Sequence, residues 1–226
     1  ALLLARAAPA VIAHDRVAGA ALARAQGASI IVMDDGLQNS SLTKDFTLGV
    51  VDARRGTGNG CIFPAGPLRA PLTSQLAKTD ALLVVGQGTG ADEVIAQAGK
   101  RNLPIFHGHL ACNPSVVREL KGRRVLAFAG IGDPEKFFET ASAAGIAITE
   151  RRAFPDHHRY SAEDAADLIM QADHSGLALL TTEKDRARMA GERILDALSR
   201  AHTLPVTMAV KEADELRRLV MTKLRH

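Results

Sequence analysis

Two adjacent carboxylates, Asp34 and Asp35, follow the apolar run Ile30-Ile31-Val32-Met33 and precede Gly36. Carboxylates at the carboxyl end of a parallel strand are how nucleotide-using α/β proteins hold a Mg²⁺ against phosphate oxygens. A strand buried on both faces reads as a continuous apolar run, which predicts a strand here. The plainer alternative is a junction at which both aspartates only cap the turn. Gln38, just beyond, reads by itself as an amide that stabilises the turn. A second apolar run, Phe46-Thr47-Leu48-Gly49-Val50-Val51, leads likewise into Asp52.

Next come Arg54-Arg55-Gly56-Thr57-Gly58-Asn59-Gly60 and Pro64-Ala65-Gly66-Pro67-Leu68-Arg69. Glycines let backbone approach a ligand closely, and Arg forks two donors onto phosphate oxygens. Arg69 and Asn59 are therefore candidates for gripping phosphate and sugar groups, with hydrogen bonding inside the loop the alternative for Asn59. His157, in Pro155-Asp156-His157-His158, is a general-base candidate, because a histidine titrates near neutral pH and a hydroxyl that accepts phosphate must lose a proton. A surface loop histidine is the alternative. Asp156 is not expected to serve it, since adjacent side chains diverge. Thr182 and Asp185 have the spacing of a helix cap with its reciprocal contact. Gly130-Ile131-Gly132 lies between a predicted strand and a predicted helix, where amides can meet an anion, but the third glycine of a dinucleotide fingerprint is absent.

The elements that must carry these residues alternate. Strands are predicted at about 10–13, 28–33, 46–52, 80–85, 104–110, 123–130, 146–150, 177–181 and 204–209. Between them lie helical stripes. Ser161 and Asp164 form a cap signal ahead of Ala165, Leu168, Ile169 and Ala172. Asp133-Pro134 opens a helix with Phe137 and Ala141 on one face and Gly145 as its stop. Leu216, Leu219, Val220 and Leu224 repeat the stripe near the end. Such alternation predicts an α/β fold of mostly parallel sheets flanked by helices. Extended pieces around 102–122 divide it into lobes at 1–112 and 113–226.

Composition narrows the class. The 226 residues are 46% hydrophobic, enough for packed cores, and only 4% aromatic, so Ala and Leu supply most of the buried area. Cys61 and Cys112 have no C-x-x-C spacing, which fits a reducing compartment and argues against a disulfide framework or zinc site. The net charge of +3 suits an anionic surface, while no basic and aromatic interleaving points to nucleic acid. No apolar run is long enough to span a bilayer.

In order, these blocks resemble the tetraacyldisaccharide 4′-kinases, the lipid A 4′-kinases of Gram-negative bacteria. Further matches are Ala129-Gly130-Ile131-Gly132-Asp133-Pro134-Glu135-Lys136-Phe137-Phe138, Phe154-Pro155-Asp156-His157-His158-Arg159-Tyr160-Ser161 and Leu180-Thr181-Thr182-Glu183-Lys184-Asp185. The resemblance implies a P-loop-kinase-like three-layer lobe, incomplete here, and a smaller α/β/α lobe, with substrates meeting between them. It implies transfer of the γ-phosphoryl of ATP, with Mg²⁺, to the 4′-hydroxyl of a tetraacylated disaccharide 1-phosphate. Asp34 and Asp35 become metal-side and catalytic residues. Gln38, Asn59, Arg69 and Arg16 become substrate contacts. His157 becomes the catalytic histidine, paired with an Asp of a Gly-Asp-Glu segment that relatives carry ahead of a stretch like Leu2-Leu3-Leu4-Ala5-Arg6. The implied partners are the lipid A precursor and the anionic cytoplasmic face of the inner membrane, with no nucleic acid and no obligate protein partner.

Three departures qualify the likeness. No G-x-x-x-x-G-K-[ST] phosphate loop occurs, and Gly99-Lys100 is followed by Arg101. Ala1 opens inside an apolar run with no capping residue, so the expectation is a fragment that alone binds ATP weakly and transfers no phosphate. Ala70 stands where many relatives carry Glu after the Arg. Readings from other classes are a non-catalytic Rossmann-like binding module and a nicotinamide oxidoreductase, the latter disfavoured by the incomplete glycine pattern.

Overall fold

The structure, a computed structural model, describes residues 3–189 and 196–224. The chain divides into two compact units: Val11–His109 with Met208–His226, and Leu110–Thr207 with Ala1–Ala10. The division departs from the lobes expected at 1–112 and 113–226, because the chain's last segment returns to the first lobe and its first ten residues lie with the second.

In the first unit, strands β1 (Leu48–Asp52), β2 (Ala81–Val85), β3 (Ile105–Cys112) and β8 (Val206–Val210) form one sheet in that order. β1, β2 and β3 run parallel, with Leu48 opposite Ala81 and Leu82 opposite Ile105. β2 is buried throughout, and alternate residues serve opposite faces. Leu82 and Val84 pack with Leu76 of helix α2 (Leu72–Leu76) and with Val94 and Ala98 of α3 (Asp92–Lys100). Ala81, Leu83 and Val85 pack with Phe106, against which lie Leu216 and Leu219 of the last helix, α8 (Ala213–Lys223). Among the described residues of this unit the remaining helix is α1 (Arg16–Ala25), opened by Asp15, whose carboxylate accepts from the amides of Val17 and Ala18.

The second unit holds four parallel strands in the order β5 (Ala147–Ala153), β4 (Arg124–Ala129), β6 (Ala178–Thr182) and β7 (His202–Leu204). One face packs Leu126, Phe128 and Leu179 with Ala165, Leu168 and Ala172 of α6 (Ala162–Ser175). The other packs Val125, Ala127 and Leu180 with Leu120, next to α4 (Pro114–Glu119), and with Phe137, Phe138 and Ala141 of α5 (Pro134–Ala143). α7 (Glu183–Met189) follows β6 without a break. Asp133 caps α5 through the Lys136 amide, with Pro134 in the first turn, and Gly145 just beyond its end takes φ 92°, as the sequence predicts.

Three strand expectations change. Residues 10–13 form no strand. Residues 28–33 form none either: Ile30 is 56% and Val32 89% exposed, and β1, the edge strand of its sheet, pairs only with β2. An apolar run becomes a strand only where a neighbouring strand takes its amides and carbonyls, and none does so here. The run expected at 204–209 is two strands. Pro205 separates them, because its missing N–H cannot continue a ladder, and β7 and β8 enter different sheets.

The Ser161 cap generates a prediction. Ser161 Oγ accepts from the Asp164 amide (3.1 Å), and Asp164 Oδ2 accepts from the Ser161 amide (2.8 Å) and lies 3.0 Å from His158 Nε2. Burial raises the Asp164 carboxyl, but these hydrogen bonds outweigh it and hold the group below the usual carboxylate range. A carboxyl lowered by folding contributes stability that is complete above its unfolded value, about pH 3.9, and is lost as pH falls through the folded value. Urea titrations at a series of pH values should show Asp164→Asn less stable than wild type at about pH 5, the gap closing in more acid solution. A gap constant down to the acid limit would contradict this account of the cap.

Candidate active site

The second unit holds the denser site. Asp185, in the first turn of α7, is fully buried. Its Oδ2 accepts from the Gly130 amide at 3.2 Å and from the Thr182 hydroxyl at 2.7 Å, while Thr182 Oγ1 accepts from the Asp185 amide. Its Oδ1 lies 3.3 Å from Arg188 Nη1, an ion pair one turn along the helix. The cap contact expected between Thr182 and Asp185 is therefore present, and the same carboxylate reaches across to the end of β4. The Gly130 amide, expected as an anion donor, is consequently occupied by a carboxylate of the chain itself. The approach is close at 130: a Cβ there would stand 3.0 Å from His158 Cβ and 3.3 Å from Asp185 Oδ1, so its neighbours would have to give way.

The Gly130 carbonyl faces the 155–158 loop and accepts from the His157 amide (3.1 Å) and from Arg188 Nη1 (2.6 Å). Arg188 Nη2 lies 3.3 Å from His157 Nδ1. His157 has φ 61°, a left-handed conformation uncommon outside glycine, and its side chain is 79% exposed. The expectation that Asp156 would point away fails for that reason: the left-handed turn brings His157 Nε2 to 3.7 Å from Asp156 Oδ2. The next residue, His158, stacks on Phe154 (4.7 Å, 24°), and Tyr160 meets both rings edge-on. The Tyr160 hydroxyl is buried without a hydrogen-bond partner among the described residues; burial and the nearby Asp185 carboxylate raise its phenol well above the usual tyrosine range. A cavity of about 540 Å³ opens beside His157, His158, Arg159, Tyr160, Arg188 and Met189, a volume typical of small-molecule sites.

The first unit carries the remaining sequence candidates. Asp34 and Asp35 are exposed in a turn, Asp35 with φ 55° and 3.6 Å from Arg69 Nη2. Their donor set still suits Mg²⁺, which takes one or two carboxylates and draws its other ligands from water and phosphate; no cluster of three or more ligating side chains occurs among the described residues. Arg69, 66% exposed, remains open to an anion. Gln38 Nε2 donates to Gln75 Oε1 at 3.1 Å. Arg16 is the first residue of α1 and exposed. Asn59, also exposed, makes the hydrogen bonds inside the loop that were the alternative to a ligand contact. Its Nδ2 donates to the Ala65 carbonyl (2.8 Å) and its Oδ1 accepts from the Cys61 amide (3.1 Å), so both ends brace the 59–66 loop.

Sequence reasoning did not find Arg188 and saw in Asp185 only a cap. The available signal was Arg188 three residues after Asp185, the spacing that places both on one helix face. Asp185→Ala should destabilise the protein by about 3 kcal/mol or more in urea unfolding, since it strands the Gly130 amide, the Thr182 hydroxyl and the Arg188 charge. A cost under about 1 kcal/mol would mean the carboxylate anchors nothing.

Comparison with known proteins places the chain. The family model described as LpxK, tetraacyldisaccharide-1-P 4′-kinase, matches residues 1–225. The tetraacyldisaccharide 4′-kinase of Rhodopseudomonas palustris (strain BisB5) is 53% identical over 223 residues, 99% of this chain and 66% of the relative. That of Bradyrhizobium sp. (strain BTAi1) is 50% identical, over 99% of this chain and 65% of its own. The chain thus spans just under two thirds of the length of these curated relatives. The crystal structure of "apo" form LpxK from Aquifex aeolicus in complex with ATP is similar with a TM-score of 0.60 at 22% identity, covering 92% of this chain and 62% of that one, a likeness of fold. With its model matched almost end to end, the chain belongs to the tetraacyldisaccharide-1-P 4′-kinase family.

Proposed function

We propose that this chain serves the ATP-dependent phosphorylation of the 4′-hydroxyl of a tetraacyldisaccharide 1-phosphate. The observation that carries the proposal is the family match over residues 1–225, joined by relatives at about half identity that bear that name. Asp34 and Asp35 are the carboxylates that would hold Mg²⁺, whose chemistry is to neutralise charge on the transferred phosphoryl group. Arg69, released from its exposed pairing with Asp35, would meet a phosphate of the lipid, with Gln38 and Arg16 as further contacts in the same unit. No phosphate loop of the usual pattern lies in these 226 residues, so nothing in this chain is assigned to cradle the nucleotide's phosphates. His157 handles the acceptor's proton together with a carboxylate. Positioning and charge neutralisation supply most of the rate.

The substrate's acyl chains also suggest where the protein works. Its net charge of +3 suits attachment to the anionic cytoplasmic face of the inner membrane. Among the described residues no helix is long and apolar enough to cross a membrane, so attachment by this part would be peripheral.

Activity is to be measured in the protein at the length its relatives have. Asp34→Ala and Asp35→Ala should each lower turnover by on the order of 100-fold or more. His157→Ala should lower kcat while leaving the KM for ATP nearly unchanged, because the proton belongs to the acceptor. Near-normal turnover in all three variants would assign these residues to turns and leave the chemistry elsewhere.

A further inference from the structure

We infer that Arg188 is a positioning residue that sets the tautomer and orientation of His157. A guanidinium has five N–H donors and no acceptor, and it stays charged at every accessible pH. Its Nη2, 3.3 Å from His157 Nδ1, can only donate there, so Nδ1 carries the lone pair and the proton of the neutral ring sits on Nε2. Nε2 is the atom turned toward Asp156 Oδ2 at 3.7 Å, so the ring presents a donor to a carboxylate on that side. Acceptance of a proton at Nδ1 would bring a second N–H against the guanidinium, so in the kinase reading the ring serves as an Nε2–H donor that orients a carboxylate, and that carboxylate takes the acceptor's proton.

Arg188 is itself held at fixed points. Its Nη1 donates to the Gly130 carbonyl at 2.6 Å and pairs with the buried Asp185 at 3.3 Å. The same Gly130 carbonyl accepts from the His157 amide at 3.1 Å, so ring and backbone of His157 are referred to one point of the β4 terminus. A side chain 79% exposed would otherwise turn freely about its rotamers. Among the described residues, the charged groups beside the ring are Arg188 and Asp156, one at each nitrogen. The tautomer rests on these contacts alone; its value to catalysis rests on the kinase reading.

The test is nitrogen NMR on this chain labelled at histidine, with the His157 signals identified by their loss in His157→Gln. Above the titration of the ring, wild type should show His157 as the Nε2–H tautomer; an Nδ1–H ring, or an even mixture, overturns the inference whatever the variants do. Arg188→Lys keeps a cation for Asp185 and so preserves the fold, but a single ammonium cannot fork to Asp185, the Gly130 carbonyl and the ring together. It should yield mixed tautomers, and an unchanged pure Nε2–H signal overturns the inference. In the protein at full family length, the same substitution should cost on the order of 100-fold in kcat at unchanged KM for ATP. Unaltered kcat in Arg188→Lys, with His157→Ala inactive, would refute the positioning role and spare the kinase reading. An active His157→Ala would refute His157's place in that reading and leave the tautomer assignment standing.

Discussion

The second unit is organised around one buried carboxylate. Asp185 sits at the start of α7 with no exposed surface, where an unpaired charge would be expensive, and it is tolerated because each oxygen has a partner. Those partners lie on three elements: the β4 terminus through the Gly130 amide, the β6 terminus through Thr182, and the next turn of α7 through Arg188. The carboxylate thereby fixes two parallel strand ends and a helix start at the edge of the sheet where ligands of α/β proteins bind. Hydrophobic residues replacing Asp185 and Arg188 together could fill the volume, often with no loss of stability, whereas removing Asp185 alone strands its partners. Such a pair could not refer the 155–158 loop to the β4 terminus.

The parts of the fold legible in the sequence were those governed by local rules. The Ser161 box, the Asp133-Pro134 start and the Gly145 stop need only neighbouring residues, and the structure shows each at its expected position. Strands buried on both faces, such as Ala81–Val85 and Arg124–Ala129, announced themselves as apolar runs. The run at 28–33 announced itself equally and is not a strand, because strand formation also depends on a neighbour with free amides and carbonyls, which local composition does not encode. Pro205 was visible too, but only the sheet partners reveal that the chain leaves one sheet and joins the other around it.

The candidate site divides in the same way. His157 was legible as a residue type in a loop, whereas its conformation and surroundings were not: the left-handed turn, the approach of Asp156 and the Arg188 contact all depend on a carbonyl 27 positions earlier. Asn59 shows the converse, since the glycine-rich loop that leaves it exposed also curls tightly enough to use its amide. A Cβ at Gly66 would lie 2.1 Å from Asn59 Oδ1, so the loop's closeness and the amide's occupation are one fact.

Asp34 and Asp35 stand under a different constraint from His157. The histidine is held by backbone, by a guanidinium and by a strained φ that persists only where surrounding contacts over-determine it. The two aspartates occupy an exposed turn, and the one ion pair described for them, Asp35 with Arg69, joins side chains 80% and 66% exposed, a geometry worth little in water. Such a pair suits groups that must exchange partners: a divalent cation would draw Asp35 and a phosphate would draw Arg69, and each exchange replaces a weak contact by a stronger one. On the proposed function, rigid placement of the ring and loose placement of the charges would answer different demands, since a proton transfer tolerates little error in distance while a hydrated Mg²⁺ brings most of its own coordination shell.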